Sequence, residues 1–152
     1  MYDDHMLHVL AVQDLAIAAI GWAVTGVLPD PGEAPYAYTI GLTETGAPEL
    51  VITGLHHTIA HALLNDMAQR AHDHGARWHH HDRISDLIRD YDAVIPDGTA
   101  NEHVIPGTAN ARYGPDRLRL QQIVWPDPNG LFPWDPGYRY PATTQPLITS
   151  PI

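Results

Sequence analysis

From Pro126 to the end of the chain, proline recurs at positions 126, 128, 133, 136, 141, 146 and 151. Each ring removes a backbone donor and fixes φ, so neither a helix nor a central strand can run through this stretch. The same stretch carries Leu131, Phe132, Trp134, Tyr138, Tyr140 and Leu147, an aromatic density foreign to disordered tails. Such side chains need burial. The sequence therefore predicts that 126–152 is an irregular, Pro-rich C-terminal arm packed over a domain, either as a lid or as an arm onto a second subunit.

The rest of the chain has the means to build that domain. With 152 residues, 44% of them hydrophobic, residues 1–152 are expected to form a single domain that folds without staples. There is no Cys, which excludes disulfides, thiolate nucleophiles and Cys-based zinc sites. All eight basic residues are Arg, so Schiff-base and phosphate-loop lysines are excluded as well. The net charge of -10 opposes binding to a phosphate backbone, and no nucleic-acid partner is expected. No segment has the layout of a signal peptide or a membrane span, which makes a cytoplasmic protein without a membrane partner the expectation.

Along the chain, Asp3 or Asp4 can cap a helix whose apolar positions Met6, Val9, Leu10, Ala16, Ile17 and Ile20 follow helical spacing, interrupted by Gln13 and stopped at Gly21. Strands are expected over Trp22–Leu28, Tyr36–Leu42 and Glu49–Thr53, with the Pro-rich loop 29–35 between the first two, and short connections favour antiparallel neighbours. Ala60, Leu63, Leu64, Met67 and Ala71 stripe a helix over Thr58–His74, closed by Gly75. Short strands fit Ile84–Ile88 and Tyr91–Ile95, a turn fits Asp97-Gly98, Thr108 can cap a short helix, and Leu118–Trp125 reads as the final strand. This order predicts an α+β fold: a largely antiparallel sheet with helices packed on one face.

Chemistry-bearing side chains fall at the edges of these elements. Tyr38 is either a core aromatic or an acid beside a ligand, and Thr39 points to the opposite face of the same strand as a ligand contact. Glu49, opening its strand after Pro48, is either an ordinary rim carboxylate or a general base. Trp125 and Asp127 end the last strand, where with Trp134 they can wall a pocket or serve as a core Trp and a turn cap. His57, His61 and Asn65 recur every fourth residue along one helix edge. His61 thus joins Tyr38, Glu49 and Asp127 as a catalytic candidate, and Thr39, Asn65, Gln122, Trp125 and Trp134 are the candidate ligand contacts. His57 and His61, with His103 as third ligand, form the alternative of a divalent metal site. His79-His80-His81 fits a polar surface loop better than a metal tract. If an antiparallel sheet gathers strand ends at one rim, Tyr38, Glu49, Asn65, Gln122, Trp125 and Asp127 should border one concavity.

The phrases Gly21-Trp22-Ala23-Val24, Tyr36-Ala37-Tyr38-Thr39-Ile40-Gly41-Leu42, Pro48-Glu49-Leu50, Leu63-Leu64-Asn65 and Gln122-Ile123-Val124-Trp125-Pro126-Asp127 resemble the bacterial family catalogued as domain of unknown function 4262, over nearly the whole chain and in order. The resemblance implies no activity. Members often begin with Cys-x-x-Cys and carry His before Pro-Glu-Leu, where this chain has His5-Met6-Leu7-His8 and Ala47. Any metal or redox site at those family positions is then absent here or rebuilt with imidazoles. The expected function is binding or converting an organic small molecule by acid/base chemistry at the sheet rim, without a cofactor. The competing readings are a His-ligated metal enzyme and a non-catalytic, dimeric interaction module.

Overall fold

The computed structural model describes residues 3–149. The Asp3 carboxylate accepts the Met6 N–H at 2.7 Å and starts helix α1 (Asp4–Ile20), which Gly21 ends in the left-handed conformation. Strands β1 (Ala23–Val27), β2 (Tyr36–Ile40) and β3 (Glu49–Thr53) follow as antiparallel neighbours, with a 3-10 turn at Leu42–Thr45 before β3. Helix α2 (His57–His74) is capped by His56, whose Nδ1 accepts the Thr58 N–H, so the helix begins before Thr58 and includes His57. A separate hairpin, β4 (Asp82–Ile88) and β5 (Tyr91–Ile95), touches the main sheet through a bridge between Val94 and Val124.

The main sheet has the order β1-β2-β3-β7-β6, completed by β6 (Asp97–Gly98) and β7 (Leu120–Gln122), with helix α3 (Gly107–Tyr113) between them. Asp97-Gly98 is thus a strand paired with β7 rather than a turn. The sheet is mixed: three pairings are antiparallel, whereas β3 and β7 are parallel, Glu49 opposite Leu120 and Val51 opposite Gln122. A parallel pair requires a long crossover, and the chain from α2 through α3 supplies it.

Helices cover both faces of this sheet, not one. Alternation sends Ala37, Leu50 and Ile52 to the side of α2, where they meet Ala60, Leu64, Met67 and Ala71 and the hairpin residues Ile84, Ala93 and Ile95. Tyr38, Ile40 and Val51 face the other way, onto Ile17 of α1, Ala109 and Tyr113 of α3, and Ile148 of the C-terminal chain. Every residue of β3 is buried, and a strand apolar on both faces demands a layer on each.

Helix α1 has inverted polarity. Of its 17 residues only Gln13 is buried, while Leu7, Val12, Leu15 and Ile20 are all more than half exposed. Gln13 reaches across the edge of β1 to donate from Nε2 to Thr25 Oγ1 (2.6 Å) and Thr108 Oγ1 (2.8 Å).

The chain after β7 has no regular structure, and side-chain amides fix it to the sheet. Gln122 Nε2 donates to the Pro146 carbonyl (2.9 Å), and Gln122 Oε1 accepts the Ile148 N–H (2.9 Å). Gln145 imitates a strand partner for Trp125: its Oε1 accepts the Trp125 N–H and its Nε2 donates to the Trp125 carbonyl. Gly54, at φ 83°, permits the closest approach, since a Cβ there would stand 2.3 Å from the Thr144 carbonyl oxygen. Gln122→Ala leaves the Ile148 N–H without its partner, whereas the Pro146 carbonyl keeps the Thr53 hydroxyl, and is expected to lower stability by about 1–3 kcal/mol. Limited proteolysis of this variant should cut first within 141–149; cleavage there at the wild-type rate would show that the glutamine clamp does not hold the segment.

Candidate functional site

The six residues expected at one rim do not border one concavity: Trp125 and Asp127 line one groove, Asn65 another, and Tyr38, Glu49 and Gln122 neither. Parallel pairing of β3 and β7 sets Glu49 beside Leu120, whereas Trp125 and Asp127 lie beyond the other end of β7. Glu49 is fully buried: its Oε1 accepts from Thr39 Oγ1 (2.9 Å) and Leu42 N–H (3.2 Å), and its Oε2 from Thr43 N–H (2.7 Å) and Thr43 Oγ1 (2.5 Å). Thr39 in turn accepts the Leu50 N–H through Oγ1, which commits it to the same knot. Burial pushes the Glu49 carboxyl above its ordinary range, and the Thr43, Thr39 and Leu42 donors offset part of that rise. With four donors around it, this carboxylate organises the turn before β3.

At the far end, Asp127 Oδ1 accepts from the N–H groups of Asn129 and Leu131 and its Oδ2 from Arg139 N–H. That is the turn-capping alternative for Asp127. Trp125 donates Nε1–H to the Thr53 carbonyl at 2.8 Å and borders, with Asp127, a shallow apolar groove that also meets Leu55, Leu63 and Tyr91. Gln122 is consumed in holding the C-terminal chain.

Two larger concavities of about 640 and 780 Å³ lie under that chain and share His103, Pro133 and Leu147. Trp134 lines the second, its ring stacked on Phe132 (5.4 Å between centroids, 12° between planes) and 5.1 Å from the His81 ring. His57 and His61 rings stand 6.3 Å apart, edge to face, and line different concavities, while His103 belongs to the cavities beneath the C-terminal chain. Among the described residues no three His, Asp or Glu side chains converge in a geometry able to hold a metal ion. The three-histidine set therefore does not assemble, because His103 follows β6 on another part of the surface.

A third groove, of about 530 Å³, runs along the free edge of β1 between α1 and α2. Val9, Val12, Ala16 and Ile20 of α1 form one wall, Trp22, Val24 and Thr25 the floor, and His61 and Asn65 of α2 the other wall. Here His61 and Asn65 do meet, as their helical spacing predicts. Asn65 Oδ1 accepts the Trp22 Nε1–H at 2.9 Å. His61 lies against the strand because residue 26 is Gly, where a Cβ would come within 3.1 Å of His61 Nε2. Burial, and secondly the neighbouring His57, hold the His61 imidazole below its ordinary value and favour the neutral ring.

A polar network runs inward from Gln13 at the edge of this groove. Thr108 Oγ1, which accepts from Gln13, is 2.7 Å from the Tyr38 hydroxyl, and the Thr108 N–H donates to that same hydroxyl at 3.2 Å. Tyr38 is thus buried in the core, stacked on Tyr36, and connected to the groove only through Thr108 and Gln13. Burial raises its pKa. Among the described residues three buried side-chain polar atoms lack a partner: Gln13 Oε1, His61 Nε2 and Gln121 Oε1. The first two belong to residues that line this groove.

Gln13 was legible in the sequence only as a break in an apolar stripe. A single amide in an apolar stripe has two explanations, solvent exposure or a buried polar peg, and contacts 95 residues apart in the chain decide between them.

An α+β domain with a mixed five-stranded sheet, bearing an apolar groove edged by two imidazoles and two amides, is the class that the fold and site define. The chain belongs to the family described as Domain of unknown function (DUF4262), which it matches over residues 16–139. Comparison with curated proteins and with solved structures finds no match. The matched region begins within α1, so His5, His8 and Gln13 lie outside it.

Replacing Glu49 by Gln tests its structural role. The carboxamide must set an NH₂ against a donor on one side or the other, which is expected to cost about 1–3 kcal/mol in chemical denaturation. An unchanged unfolding midpoint would mean that the turn 42–45 does not depend on this carboxylate.

Proposed function

We propose that the chain binds an organic small molecule in the groove between α1, β1 and α2, with His61 as the proton-accepting group, Asn65 orienting the ligand and Trp22 supplying an aromatic floor. The observation that carries this reading is the pair of unpartnered buried atoms, Gln13 Oε1 and His61 Nε2, on residues of one groove. A buried polar atom without a partner costs about 1–3 kcal/mol, and native structures tolerate few without a purpose. The groove's size also falls in the range of small-molecule sites.

Both atoms are shielded from water while α1 lies closed. Helix α1 is the wall able to move: it buries one residue, and its other polar tie to the fold is the ion pair between Asp14 and Arg112. A ligand entering under α1 gains the two unsatisfied groups, and their hydrogen bonds are the energetic return for lifting the helix. A neutral imidazole facing an apolar groove then accepts a proton from a bound hydroxyl or N–H without first losing its own.

The experiment is a fragment screen followed by ¹H–¹⁵N NMR. Binders are expected to shift the Trp22 indole N–H and the side-chain amides of Gln13 and Asn65. Binders that instead shift the surroundings of Trp134 and His103 would move the site beneath the C-terminal chain and overturn this reading.

The pH dependence has a definite sign. Because the folded His61 value lies below the unfolded one of about 6.5, the unfolded chain binds a proton first as pH falls. The His61 contribution to stability is thus intact above that value and declines as pH drops from about 6.5 toward the folded value. Imidazole resonances followed by NMR should show His61 titrating below a free histidine; titration at or above the free value would remove its role as a neutral base.

A further inference from the structure

The composition of the groove goes on to specify its ligand, given the binding reading above. Neither a carboxylate nor a guanidinium lines it, although the chain as a whole carries 18 acidic and 8 basic side chains. The charged residues flanking its walls in sequence are committed elsewhere: Asp14 to Arg112, and Asp66 to Arg70 at 2.8 Å. An anionic ligand would find no guanidinium here and a cationic ligand no carboxylate, and an unpaired charge withdrawn from water is heavily penalised.

The polar side chains that line the groove are the amides of Gln13 and Asn65, the Thr25 hydroxyl and the imidazoles of His8 and His61. The Asn65 amide is oriented by the Trp22 Nε1–H bonded to its Oδ1, and its Nδ2–H₂ donates to no described residue. Gln13 directs Nε2 to two hydroxyls, which leaves Oε1 as a free acceptor. His61 adds an uncommitted Nε2. A free donor on Asn65 and the unpartnered Gln13 Oε1 and His61 Nε2, across a floor of Trp22 and Val24, match a head group that both donates and accepts.

We infer that the groove takes an uncharged organic molecule with an apolar body and a neutral head that both donates and accepts hydrogen bonds, and that it discriminates against carboxylates and organic cations of the same shape. Benzamide, benzoate and benzamidine form a suitable set, being nearly isosteric with neutral, negative and positive heads. Titrating each into the full-length protein at pH 7.5, with the Trp22 indole N–H and the Asn65 amide as reporters, should give benzamide at least about tenfold tighter binding than either ion, or about 1.4 kcal/mol. Asn65→Asp keeps the acceptor for Trp22 and introduces a charge, so it should shift the preference toward benzamidine by about tenfold or more while the indole N–H resonance shows the fold intact.

Benzoate or benzamidine binding tightest at these reporters in the wild type would overturn the ligand class and leave the groove as the site. Absence of any shift there from all three compounds, or shifts confined to the Trp134 cavity, would overturn the class together with the site. An Asn65→Asp variant that binds all three as the wild type does would show that the head does not lie at Asn65, which also refutes the inference.

Discussion

Everything in this fold answers to the burial of β2 and β3 on both faces. A strand such as Glu49-Leu50-Val51-Ile52-Thr53, with no exposed residue, cannot be served by one layer of helices. The chain covers one side with α2 and the β4–β5 hairpin and the other with α1, α3 and the C-terminal segment. Each element outside the sheet is placed by this demand, including a Pro-rich stretch that no regular structure could have recruited.

The second face is covered unevenly, and the groove is the consequence. Helix α2 presents a complete apolar stripe to the sheet, but α1 lies over the edge of β1 and contributes little besides Ile17 and the Gln13 peg. Because β1 has no strand beyond it, the space between the two helices is not filled by another strand's side chains. An apolar trough with two amides and two imidazoles on its walls results. Gln13 hydrogen-bonds Thr108 of α3, which in turn contacts the buried Tyr38 hydroxyl.

Two polar knots serve stability rather than the groove. The Glu49 carboxylate gathers four donors from Thr39, Leu42 and Thr43, and the Asp127 carboxylate gathers three backbone N–H groups of the C-terminal chain. Buried carboxylates persist when their lone pairs are occupied in this way. Their occupancy is also what separates them from His61, whose Nε2 has no partner.

Local chemistry was legible in the residues themselves. Asp3 as a cap, Gly21 and Gly75 as left-handed stops, the α2 stripe, and strands around 36–42 and 49–53 all follow from propensity and periodicity, which act over a few neighbours in the chain. The every-fourth-residue spacing of His61 and Asn65 likewise placed them on one wall of one groove. Pairing across long separations was not legible. That β7 runs parallel to β3, that Asp97-Gly98 joins it as a strand, that helices occupy both faces and that His103 stands apart from His57 and His61 depend on a crossover from α2 to α3, whose direction no local pattern encodes. The same holds for Gln13: the sequence determined that α1 carries an apolar stripe broken by one amide, and only the tertiary structure decided that this amide turns inward, because its partners Thr25 and Thr108 come from a strand and a helix that meet solely in the folded chain.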